Sequence, residues 1–236
     1  MLPSQKFSAA FSIQMDAPKT LVENAYLALR EDIIDCKLHP GARLRVEHLK
    51  DNYGVGAGTL REALSLLVSD ALVISEGQRG FWVAPISQAD LEDITNNRVL
   101  LESEALKASI RIGDDVWEAG LVSAFHMLTR VESKLPSGAE QFREWELRNK
   151  AFHEALIAAC DSRWLRYLIG TLYRQSERYR RYSLGHGQNR NVHLEHQRIF
   201  DAALARNAAL ACAELEAHIR TTVTVFRQAN LKLSVV

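Results

Sequence analysis

Apolar residues along the first third of the chain alternate between helical and strand-like spacing. Val22, Tyr26, Leu29 and Ile33 recur at three- and four-residue intervals, which predicts a helix. Thr20 precedes them with Glu23 three residues on, the spacing of a capping box. His39-Pro40-Gly41 stops that helix. A short second helix is predicted over about Val46 to Tyr53, with Gly54 where a left-handed residue ends it. A third runs over about Gly58 to Ser69 and faces Leu60, Leu64, Leu67 and Val68 inward. Leu72-Val73-Ile74 and Phe81-Trp82-Val83 then read as strands around the Gly-bounded turn Glu76 to Gly80.

Beyond Pro85 the Gly and Pro punctuation thins and the pattern turns helical. Ser87 with Asp90 opens a helix of about two dozen residues to near Arg111. Further helices are predicted over about Asp114 to Lys134, Phe142 to Ala159, Arg163 to Tyr182, Asn191 to Ala205 and Asn207 to Ala229. The expected fold is therefore mostly α. It divides into an N-terminal arm over residues 1–19, a winged helix-turn-helix of three helices and a two-stranded wing over 20–86, an all-helical bundle over 87–230, and a tail over 231–236.

Length and charge refine this picture. A chain of 236 residues suits one large domain or two modest ones. It has 29 Lys and Arg against 29 Asp and Glu, with 25% charged and 47% hydrophobic residues. That excludes a disordered chain and a strongly basic, non-specific nucleic-acid binder. No stretch resembles a membrane helix or a secretory signal. Cys36, Cys160 and Cys212 are far apart and form no CxxC, which suits reduced thiols in the cytoplasm.

A winged helix places its second recognition-pair helix in the DNA major groove. That helix would present Gly58, Thr59 and Arg61 at its N-terminus, where free amides favour phosphate. Arg43 and Arg45 suit the DNA backbone. Gln78, Arg79 and Gly80 at the wing tip suit the minor groove. Residues 1–85 hold nine Lys and Arg against ten Asp and Glu, yet the span Lys37 to Arg61 is net +3. The topology alone favours DNA binding, with a structural or protein-binding winged helix as the alternative, since fold does not fix function.

In the helical part, polar residues inside apolar stripes carry the signal, because an unpartnered buried polar group is costly. Arg98 lies four residues after Ile94, and Glu102 four after Arg98. A guanidinium aimed into a cavity to hold a carboxylate and an internal Arg98–Glu102 pair fit this spacing equally. His153, four residues after Asn149, His196 and His218 each lie in the inward stripe of a different helix. Three neutral imidazoles converging in this way suit a divalent metal, and three hydrogen-bonded core histidines fit as well. The run from Arg174 to Arg190 interleaves Arg with Tyr, a pattern that can bind nucleic acid but reads more readily as a solvated face, with Arg174, Arg178 or Tyr182 helping to close a pocket.

Several motifs then converge. Pro40-Gly41-Ala42-Arg43-Leu44, Tyr53-Gly54-Val55, Leu60-Arg61-Glu62-Ala63-Leu64 and Gly80-Phe81-Trp82-Val83-Ala84-Pro85-Ile86-Ser87 resemble, in order, the GntR family of bacterial transcription regulators. Where that family usually has Ser-Arg-Thr-Pro, this chain has Gly56-Ala57-Gly58-Thr59, so readout rests more on Arg61, Thr59 and the wing. The segment from about Asp90 to Ala229 resembles the FCD ligand-binding domain of the FadR-like branch. The Gly-rich version, with Trp145-Glu146-Leu147-Arg148, is similar to a subgroup that includes carbon-starvation-induced regulators of enterobacteria.

The resemblance implies a metal held by Asn149, His153, His196 and His218, with zinc first and nickel or manganese as alternatives. Asn149 replaces the commoner Asp and weakens that site. It implies an effector carboxylate held by the metal and Arg98, within a site that includes Glu102, Arg148, Arg174 and Tyr182, with Arg148 as a second anion contact. The expected protein is a homodimeric repressor that binds a near-palindromic operator. A small dicarboxylate or a hydroxy or keto acid, glutarate-like first, would release it. No catalytic residue is expected. The rivals are a three-His metalloenzyme acting on a small acid and a regulator for which the metal is the signal. The enzyme lacks a general base other than Glu102 or Glu195, and GxSxG, HExxH, P-loop and Rossmann motifs are absent.

Overall fold

The structure is a computed structural model that describes residues 20–133, 139–183 and 190–233. The predicted arm and the last residues of the tail lie outside the described residues. The chain divides into two compact units, Met1–Pro85 and Ile86–Val236.

In the first unit, α1 (Leu21–Ile34) begins where Thr20 Oγ1 accepts the Glu23 amide at 3.1 Å. It packs on α3 (Ala57–Ser69), with α2 (Val46–Asn52) between them in sequence. Leu29, Ile33, Leu60, Leu64 and Leu67 form the shared core. Gly54 has φ +63, as the end of α2 requires. The wing holds three strands, not two. β1 (Arg43–Leu44) and β2 (Val73–Ser75) flank β3 (Phe81–Val83), both antiparallel to it. A two-residue strand is too short to show alternation, which is why the sequence pattern misses β1. A 3₁₀ turn, Gly77–Arg79, joins β2 to β3 and ends at Gly80, whose φ of +108 favours glycine.

The second unit is helical: α4 (Gln88–Ile112), α5 (Asp115–Glu132), α6 (Ala139–Leu156), α7 (Arg163–Tyr182), α8 (Val192–Leu204) and α9 (Ala208–Leu233). Ser87 caps α4 by accepting the Asp90 amide, and Ser162 caps α7. α4 lies along α9 and α7, α5 along α6, and α8 on α9. The core runs through Leu106, Leu121, Leu128, Phe152, Ile199 and Leu215. Among the described residues no helix is long and apolar enough to cross a membrane.

Candidate metal and effector site

Three histidines meet inside the helical unit. His153 of α6, His196 of α8 and His218 of α9 are buried, and their candidate ligand nitrogens lie within 4.8 Å of one another. Asn149, one turn before His153, joins them. Its Nδ2 donates to Tyr173 Oη at 2.6 Å, which leaves Oδ1 buried without a partner. His196 Nε2 is buried and unpartnered in the same way. Stranded acceptors of this kind are costly unless something else satisfies them. The donor set of three imidazoles and an amide oxygen fits a borderline divalent metal.

A carboxylate stands behind each imidazole. Glu132 Oε1 lies 2.7 Å from His196 Nδ1, Glu195 Oε2 lies 2.8 Å from His218 Nδ1, and Glu102 Oε2 lies 3.4 Å from His153 Nδ1. Glu132 and Glu195 hold Nδ1–H of His196 and His218 in place and leave Nε2 as the ligand atom, whereas His153 Nδ1 is buried without a hydrogen bond. Burial pushes His153 down to about 4 against the opposing pull of Glu102. Burial, then His196 and Arg190, hold His218 well below its ordinary value. Neutral rings are the form a metal binds. Burial alone would raise Glu102, but Arg98 and then His153 outweigh it and bring it to about 2. Burial would likewise raise Glu132, and His196, His193 and Trp145 together outweigh this and lower it. The two candidate general bases, Glu102 and Glu195, thus stand against His153 and His218 at 3.4 and 2.8 Å.

Beside the histidines lies a small cavity of about 10 Å³, lined by Arg98, Asn149, His153, Arg180, Arg190 and His218 among others. Arg98 forms the internal pair with Glu102 and also lines this cavity. Its Nε donates to Glu102 Oε1 at 2.6 Å, and its Nη1 donates to Ser176 Oγ at 3.0 Å.

Four expected effector residues stand elsewhere. Glu102 backs Arg98 and His153 and is not part of the cavity lining. Arg148 pairs with Glu144 at 2.7 Å on the outer face of α6. It sits one residue, or about 100° of helix, from the inward Asn149. Arg174 donates to Thr171 Oγ1, a turn away along α7. Tyr182 packs on Phe226 in a separate apolar cluster.

Sequence reasoning misses Glu132, Arg180 and Arg190 in these roles. Glu132 follows Leu128 by four, in the stripe of Leu121 and Phe125, so the criterion that singles out Arg98 would have found it. Arg180 follows Tyr173 by seven and Ser176 by four, again on one helix face. Arg190 lies between helices, where no periodicity applies.

In the first unit, Gly56 caps α3 without a side chain, which puts Gly58 and Thr59 in the helix's first turn. Arg61, Arg45 and Arg43 are exposed. Arg43 donates to the Arg79 carbonyl at 3.0 Å and lies 5.5 Å from the Trp82 ring, so it also ties β1 to the wing tip. Arg79 is 83% exposed. The Gln78 side chain lies outside what the structure describes.

Comparison with known proteins agrees with both units. Residues 21–83 match the family described as bacterial regulatory proteins, gntR family, and residues 93–221 match the FCD domain. The chain is 42% identical over 229 residues to the uncharacterized HTH-type transcriptional regulator BphR of Paraburkholderia xenovorans, covering 96% of this chain and 94% of that one. It is 34% identical to the HTH-type transcriptional repressor GlaR of Escherichia coli, covering 87% and 96% respectively. A crystal structure of a GntR regulator from Rhodococcus sp. RHA1 superposes with a TM-score of 0.68 at 21% identity, covering 87% of this chain and 96% of that one, a likeness of fold. The chain thus belongs to the GntR family of bacterial regulatory proteins, in the FadR-like group with an FCD domain, and is a ligand-responsive transcription regulator rather than an enzyme.

Proposed function

We propose that the protein is a cytoplasmic, dimeric repressor that leaves its operator when a small dicarboxylate of about glutarate size enters the helical unit. A hydroxy or keto acid of that size is the second choice. The observation that carries this reading is the unpartnered Asn149 Oδ1 and His196 Nε2 beside the cavity-lining Arg98. Asn149, His153, His196 and His218 would hold zinc, with nickel or manganese as alternatives. The metal supplies a positive centre for a carboxylate oxygen. The four donors are neutral, so a divalent ion brings two charges that an acidic effector offsets. Arg98, fixed by Glu102 and Ser176, presents its guanidinium to the same acid.

A cavity of about 10 Å³ is room for about one water. A dicarboxylate therefore binds only an arrangement in which the lining side chains have moved. That gives the effector different affinities for two arrangements, which is what a ligand-driven shift requires. DNA reading is assigned to Gly58, Thr59, Arg61 and the wing residues Gln78, Arg79 and Gly80, with Arg43 and Arg45 on the backbone. GlaR is named a repressor, which supports that sign of regulation here. A gel shift with DNA from upstream of the protein's own gene tests the proposal. A sequence-specific, salt-sensitive shift reversed by a small dicarboxylate is expected, and its absence overturns the reading.

A further inference from the structure

We infer that Arg180 takes the second acidic group of the effector and so makes this pocket selective for dicarboxylates over monocarboxylates. The inference rests on the effector reading above and assigns the contact that Arg148, on the outer face, does not supply. Arg180 lines the same cavity as Arg98 and the histidines. It is held on a fixed mount, since Nε and Nη2 donate to the two carboxylate oxygens of Glu146, which is itself buried. Its side chain is 9% exposed. Nη1 then points at Ser176 Oγ, 2.6 Å away, the same oxygen that Arg98 Nη1 reaches at 3.0 Å. Ser176 in turn donates to the Tyr173 carbonyl.

Both guanidiniums also lie over the Tyr173 ring, at 5.0 Å for Arg98 and 4.5 Å for Arg180. Two cationic N–H groups aimed at one neutral hydroxyl form the arrangement that an anionic oxygen would take. Each fork keeps donors beyond those already bonded, because a guanidinium carries five. An acid gripped at its first carboxylate beside Arg98 thus finds its second cationic partner one hydroxyl away. A monocarboxylate has nothing to place there.

The test is calorimetric titration of the full-length, zinc-supplemented protein with unbranched dicarboxylates of three to six carbons and with monocarboxylates of equal length. Arg180→Lys keeps a charge for Glu146 but loses the fork. It is expected to weaken the best dicarboxylate about ten- to a hundredfold, the loss of a charge-assisted contact. Monocarboxylate affinity is expected to stay within about twofold. Arg180→Met combined with Glu146→Gln removes the pair together, and thermal melting confirms that it folds. It should give the same split. An equal loss for both acids, or no loss for either, overturns the role of Arg180 while leaving the pocket assignment standing. A wild-type protein that binds neither acid overturns the effector reading and this inference with it.

Discussion

At the residue scale the site is built from pairs in which a carboxylate fixes a functional group. Glu132 is the clearest case. It accepts from His196, faces His193 at 3.0 Å and accepts Trp145 Nε1 at 3.3 Å. Glu132→Gln should therefore lower zinc affinity about 10–100-fold in competition with a chelator. An unchanged affinity would show that Glu132 does not orient a ligand. Asn149→Asp should tighten zinc in the same assay, since a carboxylate replaces an amide oxygen. Arg98 is equally constrained. Arg98→Ala leaves Glu102 buried without its main partner. It should cost about 3–5 kcal/mol of unfolding free energy. Part of that loss should be recovered when Glu102→Gln is added, as a denaturant double-mutant cycle would show.

At the element scale, caps and stripes do most of the positioning, and these are what a sequence displays. Thr20, Ser87 and Ser162 start their helices by accepting backbone amides. The inward stripes bring Arg98, Asn149, His153, His196 and His218 to the interior of one bundle, as their spacing anticipates. Which inward residues meet is a different matter. Glu132 at the end of α5 reaches His196 on α8 through tertiary packing, and no local spacing encodes that. Arg148 shows the opposite error, since adjacency to Asn149 in sequence becomes a different face on a helix. β1 is hidden because two residues carry no period.

Two predictions belong to the DNA-reading elements. Arg61→Ala should weaken operator binding about tenfold or more while leaving zinc content unchanged, measured by anisotropy and metal analysis. Gly80→Ala forces a side chain into φ +108 at the wing turn. It should cost about 1–3 kcal/mol in the stability of the first unit, followed by denaturant unfolding. An unchanged midpoint would mean that the turn relaxes.

At the scale of the whole molecule, charge and division of labour explain each other. The chain is neutral overall, with a net +3 span between Lys37 and Arg61 in the unit that reads DNA. A narrow basic span of this kind predicts modest affinity per protomer, doubled contacts in the proposed dimer and a clear salt dependence. The second unit matches its three cavity-lining arginines to carboxylates: Arg98 to Glu102, Arg180 to Glu146 and Arg190 to Glu195. An added metal and an added acid are then the unbalanced charges, so occupancy of the site and its response to ligand are linked. Regulation, on this account, is a coupling free energy between acid and operator.

The most direct test is a fluorescence anisotropy titration of the full-length, zinc-supplemented protein on labelled DNA from upstream of its own gene, followed by addition of a small dicarboxylate. The account predicts a specific, salt-sensitive complex that the acid releases, and an Arg98→Ala complex that forms but does not let go. A wild-type complex whose stability is unchanged by every small dicarboxylate, or an Arg98→Ala complex released as readily as wild type, would contradict it.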